Sequence, residues 1–230
     1  MILTIQGIDL QVEIAEGIKP VLEIHNKKLL RSVIEAVHYK VNDGITNDVV
    51  ILNGEKEVSF ASMVCIVESP LSVEVNTKKM VGKLYKRLEE GLNVNYDIKL
   101  QIMDYMNKIS TMIDEESQSL MFPVTRSDDV SLVDLLKIFN YRIDCSITNI
   151  LDKLYSFVDI IGEFRIYDLV LFLDISFYLE KEELGMFLSY MESKKILYLL
   201  IESERYPRIS DETVYRIDDE LFEFIQRGAD

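Results

Sequence analysis

The chain has 230 residues, 48% of them hydrophobic and 28% charged, with only 4 Pro and 9 Gly. Such a composition supports one sizeable core, or a core plus a subdomain, and excludes a disordered polymer or domains strung on long flexible linkers. The net charge of −15 opposes nucleic-acid binding by the chain as a whole, so a phosphate-binding function depends on where the 25 basic residues sit.

Met1–Ile5 carries no positive charge and leads into no long apolar run, so no signal peptide is expected. The longest apolar stretches, such as Leu169–Leu173 and Ile196–Ile201, are far too short to cross a bilayer. Cys65 and Cys145 are the only cysteines and lie far apart, which predicts buried reduced thiols and a cytoplasmic location.

Ile2–Ile5 and the alternation of Leu10, Val12 and Ile14 with Gln11 and Glu13 predict a hairpin across Gly7-Ile8-Asp9. Val21–Ile24 reads as a strand. Asn26 then caps a helix to about Tyr39, with Leu29, Leu30, Val33, Ile34 and Val37 as its apolar stripe. Asp43-Gly44 marks a turn, and Val49–Leu52 is a short buried strand ended by Asn53-Gly54. The character changes after Ser69-Pro70. From about Thr77 a helix places Val81, Leu84, Tyr85 and Leu88 on one face, interrupted at Gly91 and Asn93. A longer helix is predicted from Tyr96 to Leu120, with Ile98, Ile102, Tyr105, Met106, Ile109 and Ile113 on its apolar side, ended by Phe122-Pro123. Two long helices inserted into a strand-rich chain predict a helical subdomain projecting from an α/β head.

From Ser131, which caps Leu132–Phe139, helices and strands alternate. Tyr141–Cys145 reads as a strand, Ile147–Ile161 as a helix, and Leu169–Leu173 as a strand covered on both faces. Glu180–Ser193 reads as a helix, Ile196–Ile201 and Val214–Ile217 as strands, and Asp218–Gln226 as a closing helix. The alternation implies crossovers and a parallel sheet.

Leu169–Leu173 ends in Asp174, as a strand delivering an acid to magnesium would. A nucleotide site also needs G-x-x-x-x-G-K-[ST], whose glycines let backbone amides cradle phosphate. None of the 9 glycines begins that pattern, and Gly162 and Gly185 have no Gly-Lys partner, which disfavours nucleotide hydrolysis. His25 and His38 are 13 residues apart with no Cys or acid at ligand spacing, so they read as surface or cap residues. The acid pairs Asp128-Asp129, Glu182-Glu183 and Asp218-Asp219 read as caps or solvated faces.

The informative charge lies between Asn76 and Arg87, which holds Lys78, Lys79, Lys83, Lys86 and Arg87 and no acid. The rest of the chain is left at −20, with 20 basic residues against 40 acidic. Lys79, Lys83, Lys86 and Arg87 follow the spacing of one helix face, away from Val81, Leu84 and Leu88. On charge alone, a solvated face paired to acids of a neighbouring helix is the simpler reading. A phosphate-binding face competes with it, and does so strongly only if several copies share a channel.

The C-terminal third carries a resemblance. Leu169–Asp174 is followed by Phe177-Tyr178-Leu179 leading into Glu182-Glu183-Leu184 and Tyr190. Ile196–Ile201 with Glu202 comes next, then Tyr215-Arg216-Ile217-Asp218-Asp219-Glu220. Upstream, Ser131–Phe139 precedes Tyr141-Arg142-Ile143-Asp144. This order, the length and the inserted helices resemble the small accessory adaptation proteins of type II-A CRISPR systems, the Csn-two family. The resemblance implies a P-loop-like α/β head with a mainly parallel sheet over 1–70 and 140–230, and an inserted long-helix leg over 71–139. It further implies a non-enzymatic homotetrameric ring around double-stranded DNA, entered at a free end. Such a ring supports spacer acquisition beside the CRISPR integrase and effector nuclease proteins. Lys78, Lys79, Lys83, Lys86 and Arg87 would line the channel. The alternative is a protein-interaction scaffold that never touches DNA.

Family members also bind calcium through an acid-rich segment near the head–leg junction. Here Leu120–Asp129 is apolar where acids would be expected. The candidate ligands for a possible calcium are Asp114, Glu115, Asp128 and Asp129; without calcium, Arg126 paired with acids would fix the junction instead.

Overall fold

Leu3 and Ile5, then Leu10, Val12 and Ile14, bury alternate side chains, and the two segments pair antiparallel as β1 (Ile2–Ile5) and β2 (Gln11–Glu13). Gly7 takes φ +79° in the reversal between them, a conformation open to a residue without Cβ. In the computed structural model, residues 1–126, 131–144, 146, 149–203 and 208–228 are described. The chain continues through β3 (Lys19–Ile24), α1 (Lys27–Val41), β4 (Val49–Asn53), β5 (Lys56–Glu57), α2 (Phe60–Met63) and β6 (Val64–Val67). Three helices follow: α3 (Lys78–Val94), α4 (Tyr96–Ser117) and α5 (Leu132–Ile138). The last elements are α6 (Ile150–Phe164), β7 (Leu169–Leu173), α7 (Lys181–Ser193), β8 (Leu197–Glu202), β9 (Glu212–Ile217) and β10 (Glu223–Arg227).

The chain forms two units, Met1–Val75 with Cys145–Asp230, and Asn76–Asp144. The first holds an antiparallel sheet in the order β2-β1-β4-β5 and a six-stranded sheet in the order β10-β9-β3-β8-β7-β6. The six-stranded sheet is parallel throughout except for β10. This is an α/β fold with a mainly parallel sheet.

Period two sorts the strand residues onto two faces of the large sheet. Leu22, Ile24, Leu169, Leu171, Leu199, Ile201, Tyr215 and Ile217 face a core shared with Leu3, Val12, Val49 and Ile51 of the small sheet and Val33 and Val37 of α1. On the other face Phe172 meets Phe187 of α7 edge to face, with ring centroids 5.5 Å apart. Tyr155 of α6 meets the same Phe187 at 5.9 Å. With both faces covered, β7 buries all five of its residues, as its continuous apolar run predicts. Only Val49 and Ile51 of β4 are fully buried, because it belongs to the antiparallel sheet.

In the second unit α3 and α5 pack Val81, Tyr85 and Leu136 together, with Leu84, Leu88 and Val133 around them. Ser131 caps α5 in a reciprocal box: its hydroxyl accepts from Asp134 N–H, and Asp134 accepts from Ser131 N–H. The Ser131 hydroxyl also donates to Asp134 Oδ2 at 2.7 Å, and that bond, with Lys137 and the Ser131 N–H, holds the Asp134 carboxyl down near 2.

Several expectations change. The closing helix over 218–226 is instead β10, paired antiparallel with β9. Asp218 Oδ1 accepts from Glu220 and Phe222 N–H, and Leu221 adopts φ +67°, so the chain reverses before a helix can start. The expected strand at 141–145 is irregular over 141–144, and Cys145 lies outside the described residues. Ile143 exchanges two 2.9 Å bonds with the Asn76 side-chain amide, which stands in for a neighbouring strand. The helix start expected at Ile147 falls at Ile150, where Asn149 caps α6; Ile147 and Thr148 are not among the described residues. Helix α3 runs through Gly91 and Asn93 to Val94, and α4 ends at Ser117 rather than Leu120. Strand β6, with α2 before it, lies where no element was expected.

Candidate nucleic-acid interface

Thr77 starts α3 by accepting from Met80 N–H at 3.3 Å, and the helix then runs 17 residues, about 25 Å at 1.5 Å each. Because Val81, Tyr85, Leu84 and Leu88 are committed to α5, the opposite face points away from that core. Lys83, Lys86 and Arg87 are exposed there and Lys79 is half-buried, while Lys78 is exposed at the helix start, about 20° from Tyr85 around the axis; the structure brings the five bases of the sequence motif onto one helix. Lys86 Nζ lies 3.9 Å from Glu90, both groups well exposed, a contact of little energetic weight. The first turn holds no acid. Cations at a helix start oppose its macrodipole, whereas a bound anion would meet the lysines and the dipole together.

Helix α4 spans 22 residues and buries none of them. Tyr96, Ile98, Tyr105, Ile109, Met112 and Ile113 are all exposed. Its predicted apolar side has formed, but within the chain only Ile102 and Met106 of that side are half-covered.

Of the possible calcium ligands, Asp114 and Glu115 are among the described residues. Asp114 accepts an ion pair from Arg126 Nε at 3.3 Å, both groups about half exposed. Glu115 is its exposed neighbour, turned about 100° around the helix. Asp128 and Asp129 lie outside the described residues. Among the described residues no group of three His, Cys, Asp or Glu side chains could hold a metal ion.

The carboxyl ends of the parallel strands hold a polar cluster that motif reading does not find. Glu23 on β3 is in register with Glu202 on β8 and with Arg216 on β9. Both glutamates are 1% exposed. Arg216 Nη2 donates to Glu23 Oε2 at 3.0 Å, and His25 Nε2 lies 2.6 Å from Oε1, so His25 is not the surface or cap residue expected. Ser176 Oγ donates to Glu202 Oε2 at 2.5 Å. Burial pushes the Glu202 carboxyl up to about 7, and the nearby Asp174 charge adds to the rise. Asp174 itself adopts φ +45° and accepts from Ser203 N–H at 2.6 Å, tying the ends of β7 and β8 together. The available signal was a charge inside each of two apolar runs, Val21-Leu22-Glu23-Ile24 and Leu199-Leu200-Ile201-Glu202.

Only His25 and Asn26 join β3 to α1. Asn26 Oδ1 accepts from Lys28 and Leu29 N–H at 3.1 and 3.0 Å, occupying the amides a phosphate would need. A buried acid, Glu23, stands one residue before this loop on β3. Among the described residues no helix is long and apolar enough to cross a membrane.

A fold comparison returns the crystal structure of Stu0660 of Streptococcus thermophilus, with a TM-score of 0.61 and 13% identity. The match covers 100% of this chain and 77% of that one, a likeness of fold alone. No curated protein matches the chain. The family model described as CRISPR-associated protein (Cas_Csn2) matches residues 38–221, a span that takes in α3, α4 and the carboxyl ends of β6 to β9. The chain belongs to the CRISPR-associated Cas_Csn2 family.

Proposed function

We propose that this protein binds double-stranded DNA ends without sequence preference, as a homotetrameric ring whose channel is lined by the basic face of α3. Membership of the Cas_Csn2 family supports a role in CRISPR adaptation. The DNA reading rests on one observation: α3 segregates Lys79, Lys83, Lys86 and Arg87 from its packed face in a chain that is otherwise at −19. The apolar side of α4 supports self-association, because a helix of this length with exposed Tyr, Ile and Met side chains gains from a partner. Four copies of the stripe around one hole would multiply the phosphates contacted, and the acidic exterior would repel DNA elsewhere. Contacts to phosphate carry no base information, so binding would ignore sequence. The ring would hold a DNA end for the integrase and effector nuclease of the same system, as partners and not as an enzyme.

The test is binding to linear and covalently closed duplex of equal length, over a salt series. Linear DNA should bind tightly and closed circles weakly. Affinity should fall steeply with salt, with a log–log slope of about −0.9 per phosphate contacted. Replacing Lys79, Lys83, Lys86 and Arg87 together with Ala should weaken binding at least tenfold and flatten the slope, with the oligomer intact. Equal binding to closed circles refutes threading, and an unchanged slope removes the stripe from the interface.

A further inference from the structure

Strand β10 is the outermost strand of the six-stranded sheet and is bonded on one side only, to β9. Asp218 N–H donates to Phe222 O, and Gly228 N–H donates to Glu212 O. Residues that exchange bonds alternate with residues that do not in an antiparallel pair. Phe222, Phe224, Gln226 and Gly228 therefore turn their backbone groups toward β9, and Glu223, Ile225 and Arg227 turn theirs toward the open edge. Among the described residues no strand pairs with that edge. It is also apolar: Phe222, Phe224 and Ile225 are each more than half exposed. Open edges are ordinarily blunted by prolines, bulges, charged side chains or very short strands; this five-residue strand has no proline, and its two charges, Glu223 and Arg227, are of opposite sign.

We infer that β10 pairs with β10 of a second copy of this chain, antiparallel, about a two-fold axis through Ile225. The strand is self-complementary in that register and in no neighbouring one. Ile225 faces the copy's Ile225, Glu223 faces the copy's Arg227 at both ends, and Phe224 faces Gln226. Each outward-facing residue meets another outward-facing residue, so the free N–H and C=O groups of both strands are all bonded. Sliding the pair by two residues in one direction sets Glu223 against Ile225. Sliding it further sets Glu223 against Glu223 or, in the other direction, Arg227 against Arg227. A parallel pairing would line like charges side by side. Opposite charges across a strand pair stabilise it, and like charges destabilise it. Asp9 N–H donates to Glu223 Oε1 at 2.9 Å, which orients that carboxylate at the edge. The six-stranded sheets of two copies thus become one continuous sheet. A closed tetramer of dihedral symmetry needs two different two-fold contacts; this edge is one candidate, separate from the α4 face, and it does not depend on DNA.

The test is disulfide trapping in the full chain carrying Cys65→Ser and Cys145→Ser. In a bonded antiparallel pair the two Cα atoms lie about 5.5 Å apart, inside the range of roughly 4.4–6.8 Å that a disulfide spans. The Ile225→Cys protein should form a covalent dimer under mild oxidation, and the Glu220→Cys protein should remain monomeric on a non-reducing gel. Ile225→Pro removes one outward donor without touching the bonds to β9, and should weaken association at least tenfold by sedimentation velocity. Glu223→Arg should weaken it as well, with recovery on adding Arg227→Glu. Trapping at 225 no faster than at 220 overturns the pairing, as does an Ile225→Pro protein that sediments like its parent. Replacing the α3 bases should leave the trapping unchanged, so failure here and failure of the DNA reading are separable.

Discussion

Glu202→Gln tests the buried cluster at the carboxyl edge of the sheet. Glu202 is 1% exposed, in register with Glu23, and hydrogen-bonded to Ser176. Burial raises its carboxyl from an ordinary 4.5 to about 7, and Asp174 adds to the rise. An unfolded chain releases that proton near 4.5, so between these values the native state holds more protons than the unfolded one. Stability therefore falls as pH rises through this window, and above it the loss is complete. At about 1.4 kcal/mol per pH unit the displacement corresponds to roughly 3 kcal/mol. Glutamine keeps the shape and an acceptor for the Ser176 hydroxyl but cannot ionise. The variant and its parent should melt together near about pH 4, and the variant should melt roughly 6–12 °C higher near about pH 8. The other groups around the site, Asp174 on the Ser203 amide and Glu23 with Arg216 and His25, are present in both proteins and cancel in the difference. Scanning calorimetry at constant ionic strength over this range is the assay. A difference that does not change with pH, or a less stable variant near about pH 8, refutes the reasoning.

Arg216→Met deprives the buried Glu23 of its cation and should cost about 3 kcal/mol, with most of it recovered when Glu23→Gln is added; urea unfolding of the single and double variants measures both. Phe187→Ala opens a void against Phe172 and Tyr155 and should cost about 3–5 kcal/mol in the same assay. Leu136→Ala removes the α5 side chain that supports Val81 and Tyr85, and should lower the local stability of the helical unit by roughly 2–3 kcal/mol, read as faster amide exchange along α3.

The basic stripe and most elements were legible because their causes are local. The alternation at Leu10, Val12 and Ile14, the apolar run at 169–173 and the caps Asn26, Thr77 and Ser131 act within a few residues of themselves. The misread segments share the opposite property. Residues 218–226 have enough apolar character for a helix, and the turn at Asp218 with the free edge of β9 makes them a strand. Residues 141–144 look strand-like, yet their neighbour is the Asn76 side chain.

Local pattern was enough to read an α/β chain, an acid-free run of five bases on one helix, and no phosphate loop. Long-range packing was needed to see that Glu23, Glu202 and Arg216 stand side by side, that the described residues leave the apolar side of α4 open, and that β10 ends the sheet. The difference is one of range. Periodicity and capping are interactions between near neighbours, whereas register, charge burial and unpaired edges exist only between segments brought together from distant parts of the chain.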